Sequence, residues 1–232
     1  MRKVLFQFIG VFAALLVTSG AQAATVTLFG DDVKFTFDDA TEFGGGNVIG
    51  NSIFFLPTTF KVESLDGAGP DTLNVTLNVA IERTTLGYEM EDFALAESGD
   101  YELNGAGASV TASGQFRITS NTKLCGGSFP CMDEEIFAAG PLTVTGALTA
   151  WSAGTTIDLA DTAGWITDTG VIMTLQNRLN ATTLNAGVGE TAFIEKKFEG
   201  VGIIVNPIPI PGAVWLFGSA IGLLGWMRRR SA

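Results

Sequence analysis

Between residues 25 and 205 the chain is built of short runs in which apolar and polar residues alternate, separated by Gly, Asp, Asn and Pro clusters. The clearest run is TLNVTLNVAIE (72–82). At a side-chain period of two, Leu73, Val75, Leu77, Val79 and Ile81 share one face, and Asn74, Thr76 and Asn78 share the other. Such a strand is dry on one side and wet on the other. Similar runs occur at 25–29, 33–37, 47–56, 59–64, 93–97, 109–119, 142–151, 156–160, 171–179 and 191–205. No window carries a sustained helical period, and no fixed repeat marks a solenoid. The pattern therefore predicts an all-β fold, an antiparallel β-sandwich or jelly roll. The segment 99–119 resembles hairpins common in known secreted proteins, and 152–170 reads as loop-rich, with room for a short helix.

The two ends depart from this alternation. At the start, a basic Met1-Arg2-Lys3 head leads into an apolar run from Leu5 to Val17, and Ala21-Gln22-Ala23 supplies small residues for signal peptidase. This is the layout of a secretory signal over 1–23, with a mature start at Ala24. At the other end, Pro207, Pro209 and Pro211 alternate with Asn206, Ile208 and Ile210, which disfavours helix and favours an extended strand. Residues 212–227 then run for 16 positions without a charge, and Arg228, Arg229 and Arg230 follow. As a helix this apolar stretch measures about 24 Å, enough to span a bilayer with local thinning. The three arginines predict stop-transfer with the body outside. Trp215 and Trp226 suit the two membrane interfaces. An ordinary C-terminal anchor is the plainer reading of the same residues.

The order Pro209-Ile210-Pro211-Gly212, then AVWLFGSAIGLLGW (213–226), then three arginines resembles the PEP-CTERM class of bacterial sorting signals, in its Val-Pro-Leu-Pro-Ala variant. The chain has Ile210 and Gly212 where Leu and Ala are commoner, and it lacks Pro-Glu-Pro. The resemblance implies a sorting segment over 206–232 that is a substrate of exosortase, a membrane-embedded cysteine transpeptidase. Pro207, Pro209, Pro211 and Gly212 would then be its recognition motif. It also implies an inner-membrane-anchored precursor that passes to the cell surface or outside, in bacteria that make exopolysaccharide and biofilm matrix.

Composition sharpens the picture of the body, 24–205. All 24 acidic residues lie there, with only eight of the 13 basic ones. Such a surface repels nucleic acid and anionic lipid. About 180 residues are enough for one domain with a real core. Cys125 and Cys131, in KLCGGSFPCMDEE, predict a local disulfide in an oxidising compartment. With no histidine in the chain, Ser-His-Asp and Cys-His catalysis are excluded, as are His-ligated metals. Paired carboxylates of a glycosidase remain open, but no pair stands out, and the expectation is a protein without enzymatic activity.

The remaining ligand candidates are weaker. Asp31-Asp32 and Asp38-Asp39 flank one strand, and Asp133, Glu134 and Glu135 follow the cysteine loop. Calcium suits such oxygen ligands, but the spacing matches no calcium loop, so solvated turn acids and no cofactor are expected. Tyr88, Tyr101, Trp151 and Trp165 are candidates for stacking on sugars, with core packing as the plainer role. The resulting expectation is a non-enzymatic structural or adhesive protein of the exopolysaccharide matrix. A membrane-retained carbohydrate-binding module and a His-free glycosidase are its alternatives.

Overall fold

The computed structural model describes residues 24–159 and 167–207, with side chains through 202. The signal-peptide reading of 1–23, Trp165, the motif from Pro209 onward, the apolar stretch 212–227 and Arg228 to Arg230 lie outside the described residues. Among the described residues no helix is long and apolar enough to cross a membrane.

Among the described residues twelve strands follow one another: β1 Thr25–Phe29, β2 Val33–Asp38, β3 Gly46–Ile49, β4 Ser52–Phe55, β5 Lys61–Leu65, β6 Gly69–Arg83, β7 Tyr88–Asn104, β8 Ser109–Cys125, β9 Phe129–Ala138, β10 Thr149–Asp158, β11 Gly170–Thr183 and β12 Thr191–Pro207. They form two antiparallel sheets. The first has the order β1-β2-β6-β11-β8-β9, and the second β10-β7-β12-β4-β3, with β5 also paired to β12. The inward residues of both sheets close on one apolar core. Phe35, Phe55, Phe93, Phe116, Val79, Ile81, Leu175 and Ile194 are completely buried there, each large side chain contributing about 1.5 to 3 kcal/mol.

The alternation read from 72–82 is the one the fold uses. Leu77, Val79 and Ile81 are buried, and Asn74, Thr76 and Asn78 face outward. Two expectations change. The segment 99–119 is not a hairpin, because β7 belongs to the second sheet and β8 to the first, so residues 105–108 turn a corner between sheets. Positive φ at Gly105 (94°) makes that corner possible. The run 142–151 joins a strand only at Thr149, and β10 continues to Asp158 through the stretch read as loop. The residues after Cys125 form a true strand, β9, which pairs with β8 and closes the edge of the first sheet.

One irregularity in β12 shapes the interior. Its pairing with β7 slips between Lys196 and Phe198. In a regular strand Lys196 and Glu199 would face opposite ways. The extra residue of this β-bulge turns Lys197 and Phe198 outward together and returns Glu199 to the core face, beside Lys196. Gly99, paired with Lys196, makes room: a Cβ there would sit 1.9 Å from the Glu195 carbonyl oxygen and 2.8 Å from Trp151 Nε1.

Candidate functional site

The outer face of the first sheet carries a flat array of hydrogen-bonding side chains. Pairing of β6, β11, β8 and β9 aligns Asn78, Thr174, Arg117 and Glu134 in one row, and Thr76, Gln176, Gln115 and Ile136 in the next. Asn74, Arg178 and Ser113 form a third row, and Thr72, Asn180 and Thr111 a fourth. These are the polar halves of four alternating strands, so the inward apolar pattern and the outward amide pattern have one cause.

Neighbouring rows are partly tied down. Thr174 Oγ1 donates to Asn78 Oδ1 over 2.8 Å, and Asn180 Nδ2 donates to Thr72 Oγ1 over 2.7 Å. Arg117 Nε donates to Glu134 Oε2 over 2.6 Å, and Arg117 also reaches Gln115 Oε1 over 3.1 Å. Between them lies a shallow depression of about 290 Å³, walled by Asn74, Gln115, Gln176, Arg178, Ser113 and Ile136. No carboxylate lies within 4.0 Å of Arg178 among the described residues. Arg178, Gln176 and Asn74, exposed on this sheet, can bind a ligand rich in hydroxyls or carboxylates without first breaking an internal bond, whereas Gln115 already donates to Glu134 Oε1 over 2.5 Å and accepts from Arg117.

The second sheet has a different outer face. Phe54 and Phe198 stack with ring centroids 6.4 Å apart. With Ile49, Ala94, Gly200 and Gly202 they line an apolar groove of about 510 Å³.

Between the sheets the bulge sets a charged cluster in the core. Lys196 Nζ lies 2.8 Å from Glu97 Oε1 and 2.9 Å from Glu199 Oε2. Asn177, projecting inward from β11 of the opposite sheet, donates to Glu199 Oε2 over 3.2 Å. The four residues are 0% to 3% exposed. Lys196 Nζ also sits 5.4 Å and 5.2 Å from the ring centroids of Phe43 and Phe60. Burial pushes the Glu199 carboxyl up to about 8 against the pull of Lys196, and repulsion from Glu97 adds to the rise. Burial likewise raises Glu97, against Lys196 and a hydrogen bond from Asn177. The rise favours the protonated form of Glu199 near neutral pH, which lessens the repulsion between the two buried carboxyls.

The residues singled out in the sequence fare unevenly. Cys125 and Cys131 form a disulfide, S–S 2.00 Å, at the tip of the β8–β9 hairpin. Trp151 is 4% and Tyr101 2% exposed, so neither is a sugar platform. The Trp151 indole donates to the Glu195 carbonyl over 3.0 Å, and the Tyr101 hydroxyl accepts from the Val144 amide over 3.1 Å. Tyr88 is half-buried at the start of β7, opposite Pro207. Asp32 exchanges hydrogen bonds with Asn51, and Asp38 accepts from the Ala40 amide over 2.9 Å. Asp31 and Asp39 stand beside them at the same strand ends, and no cluster of three or more metal-ligating acids or thiols occurs among the described residues.

Comparison with known proteins adds little. No family model matches the chain, and no curated protein matches it. A solved structure of infectious bursal disease virus, Gx strain, aligns over 79% of this chain and 34% of that one, at 11% identity and a TM-score of 0.38. The chain thus spans about a third of that protein's length.

Proposed function

We propose that this is an exported, non-enzymatic surface or matrix protein that holds polysaccharide on the outer face of its first sheet. The observation that carries the reading is the amide- and hydroxyl-lined depression around Gln176 and Arg178, displayed by a rigid antiparallel sheet. Polysaccharides offer many hydroxyls and little apolar surface, so a broad array of modest hydrogen bonds suits them better than a deep apolar pocket. Arg178 adds a planar fork suited to a uronic carboxylate. On an acidic body, a locally uncompensated guanidinium is where an anionic chain would dock.

The two end segments support the setting. A secretory head and a Pro-rich, apolar, Arg-ended tail that resembles an exosortase sorting signal fit a precursor held in the inner membrane and then passed to the surface. Signal peptidase and exosortase are the partners this implies. The test is a glycan array probed with the body, with and without calcium. Binding to extended, hydroxyl-rich or uronic polysaccharides is expected, and absence of binding to every glycan would sink the reading.

A further inference from the structure

The cluster between the sheets brings a primary amine, a carboxamide and two carboxyl groups into one buried space. Lys196 Nζ and Asn177 Nδ2 both contact the same atom, Glu199 Oε2, at 2.9 Å and 3.2 Å. Glu97 stands on the other side of the amine at 2.8 Å. Lys196 and Glu199 come from β12, Glu97 from β7 and Asn177 from β11, so the group bridges the two sheets. As a purely ionic cluster it is incomplete. Two carboxyl groups face one ammonium, and Glu199 Oε1 has no hydrogen-bond partner among the described residues.

We infer that Lys196 and Asn177 condense into an amide bond that ties the two sheets together, with Glu97 and Glu199 carrying the protons. The ammonium of Lys196 first gives a proton to the adjacent carboxylate, leaving a neutral amine. The amine lone pair attacks Cγ of Asn177 while the neighbouring carboxylic acid hydrogen-bonds the amide and polarises it. A new Cγ–Nζ bond forms and the Cγ–Nδ2 bond breaks. The departing nitrogen takes one proton from the amine, relayed by a glutamate, and leaves as ammonia. The second proton lost by the ammonium stays on a glutamate. One ammonium, one carboxylate and one carboxamide thus become one secondary amide, one carboxylic acid and one ammonia. Charge and atoms balance, and no oxidant, metal or nucleotide is needed.

Each feature of the cluster has a place in this step. Burial disfavours the charged form of both carboxyls, Glu199 above all, so a carboxylic acid is at hand to polarise the amide. Exclusion of water protects the activated amide from hydrolysis. The fold holds amine and amide against the same carboxylate oxygen before reaction, so much of the entropy of bringing them together is already spent. The Phe43 and Phe60 rings wall the amine in. The product removes the buried ion pair, and the bond would resist separation of the sheets.

Mass spectrometry of the full chain, secreted and with its disulfide reduced, tests this directly. The expected mass is one ammonia below that of the processed sequence. A tryptic digest should yield a branched peptide that joins the segment ending at Arg178 to one spanning an uncleaved Lys196. Lys196→Met should return to its own sequence mass, and Asn177→Asp should convert the deficit from one ammonia to one water. The wild-type reading stands even if the variants do not fold. A wild-type mass equal to the sequence, with separate linear peptides, would overturn the inference. So would a wild-type deficit of one water, which would place the bond on a glutamate.

Discussion

Gly99→Ala perturbs the point on which the interior depends. Gly99 faces Lys196 on one side and Trp151 on the other, and its missing side chain leaves room for the bulge and for the Trp151 indole to cross β7. An added Cβ would lie 1.9 Å from the Glu195 carbonyl oxygen, a backbone atom that cannot swing aside as a flexible side chain can. The strands must separate or the bulge must flatten. Overpacking of this kind costs about 1 to 3 kcal/mol. Loss of the Trp151–Glu195 hydrogen bond and disturbance of the Lys196 cluster push the value toward the upper end. For a domain of this size that corresponds to a fall in Tm of roughly 2 to 12 °C. Urea unfolding followed by tryptophan fluorescence measures the free energy, and a thermal scan measures Tm. Gly140→Ala is the control, since an added Cβ there meets nothing within 4 Å. If Gly99→Ala lies within about 0.5 kcal/mol of wild type, the range of an ordinary surface change, the role given to the bulge is wrong.

Two further outcomes follow from local chemistry. Glu190 is 2% exposed, and its carboxylate accepts from the Asn185 side chain over 2.6 Å and from the Asn185, Gly107 and Leu184 amides. Those bonds, the Asn185 side chain first, hold its pKa down to about 2 from the usual 4.5. A depressed acid stabilises the fold above its unfolded value and loses that contribution as pH falls through its folded value. Stability should therefore decline between about pH 4.5 and 2, and Glu190→Gln should flatten that limb. An unchanged acid limb in the variant would contradict the assignment. Replacing both cysteines by serine should cost about 2 to 3 kcal/mol, the loop-closure value for so short a ring. Hydrogen exchange should quicken at the β8–β9 tip alone, and quickening throughout both sheets would show a wider role.

How far the sequence foretold this structure depends on whether a local rule was in force. In β6, strict alternation from Leu73 to Ile81 predicted both the buried face and the amide face, because a period of two leaves no other arrangement. In β12 that rule fails. The stretch Glu195-Lys196-Lys197-Phe198-Glu199 lies inside the run 191–205 read as one strand, but neither the bulge nor the partner Asn177 on another sheet is encoded locally. Buried charge is legible only once its partners are known. Trp151 and Tyr101 mislead in the other direction: aromatics with a polar atom suit a sugar platform and a satisfied core position equally, and here backbone partners within the core decide. Strand β9 was hidden by Pro130, Cys131 and the acids 133–135, which read as part of a stapled loop but belong to a strand that pairs with β8. The outer amide face, on which binding is proposed, was visible as polar positions in β6. Its extension across β11 and β8 required the strand order, in which sequence neighbours are seldom sheet neighbours.

The account stands or falls on the outer face of the first sheet. Affinity electrophoresis of the wild-type body through gels containing a uronic-acid polysaccharide, beside Arg178→Ala/Gln176→Ala and a Phe54→Ser control on the opposite sheet, reads that face directly. Retardation of the wild type and of the control, lost in the double variant, is the predicted result. Equal mobility of all three with and without polysaccharide, or retardation that the double variant keeps, would contradict it.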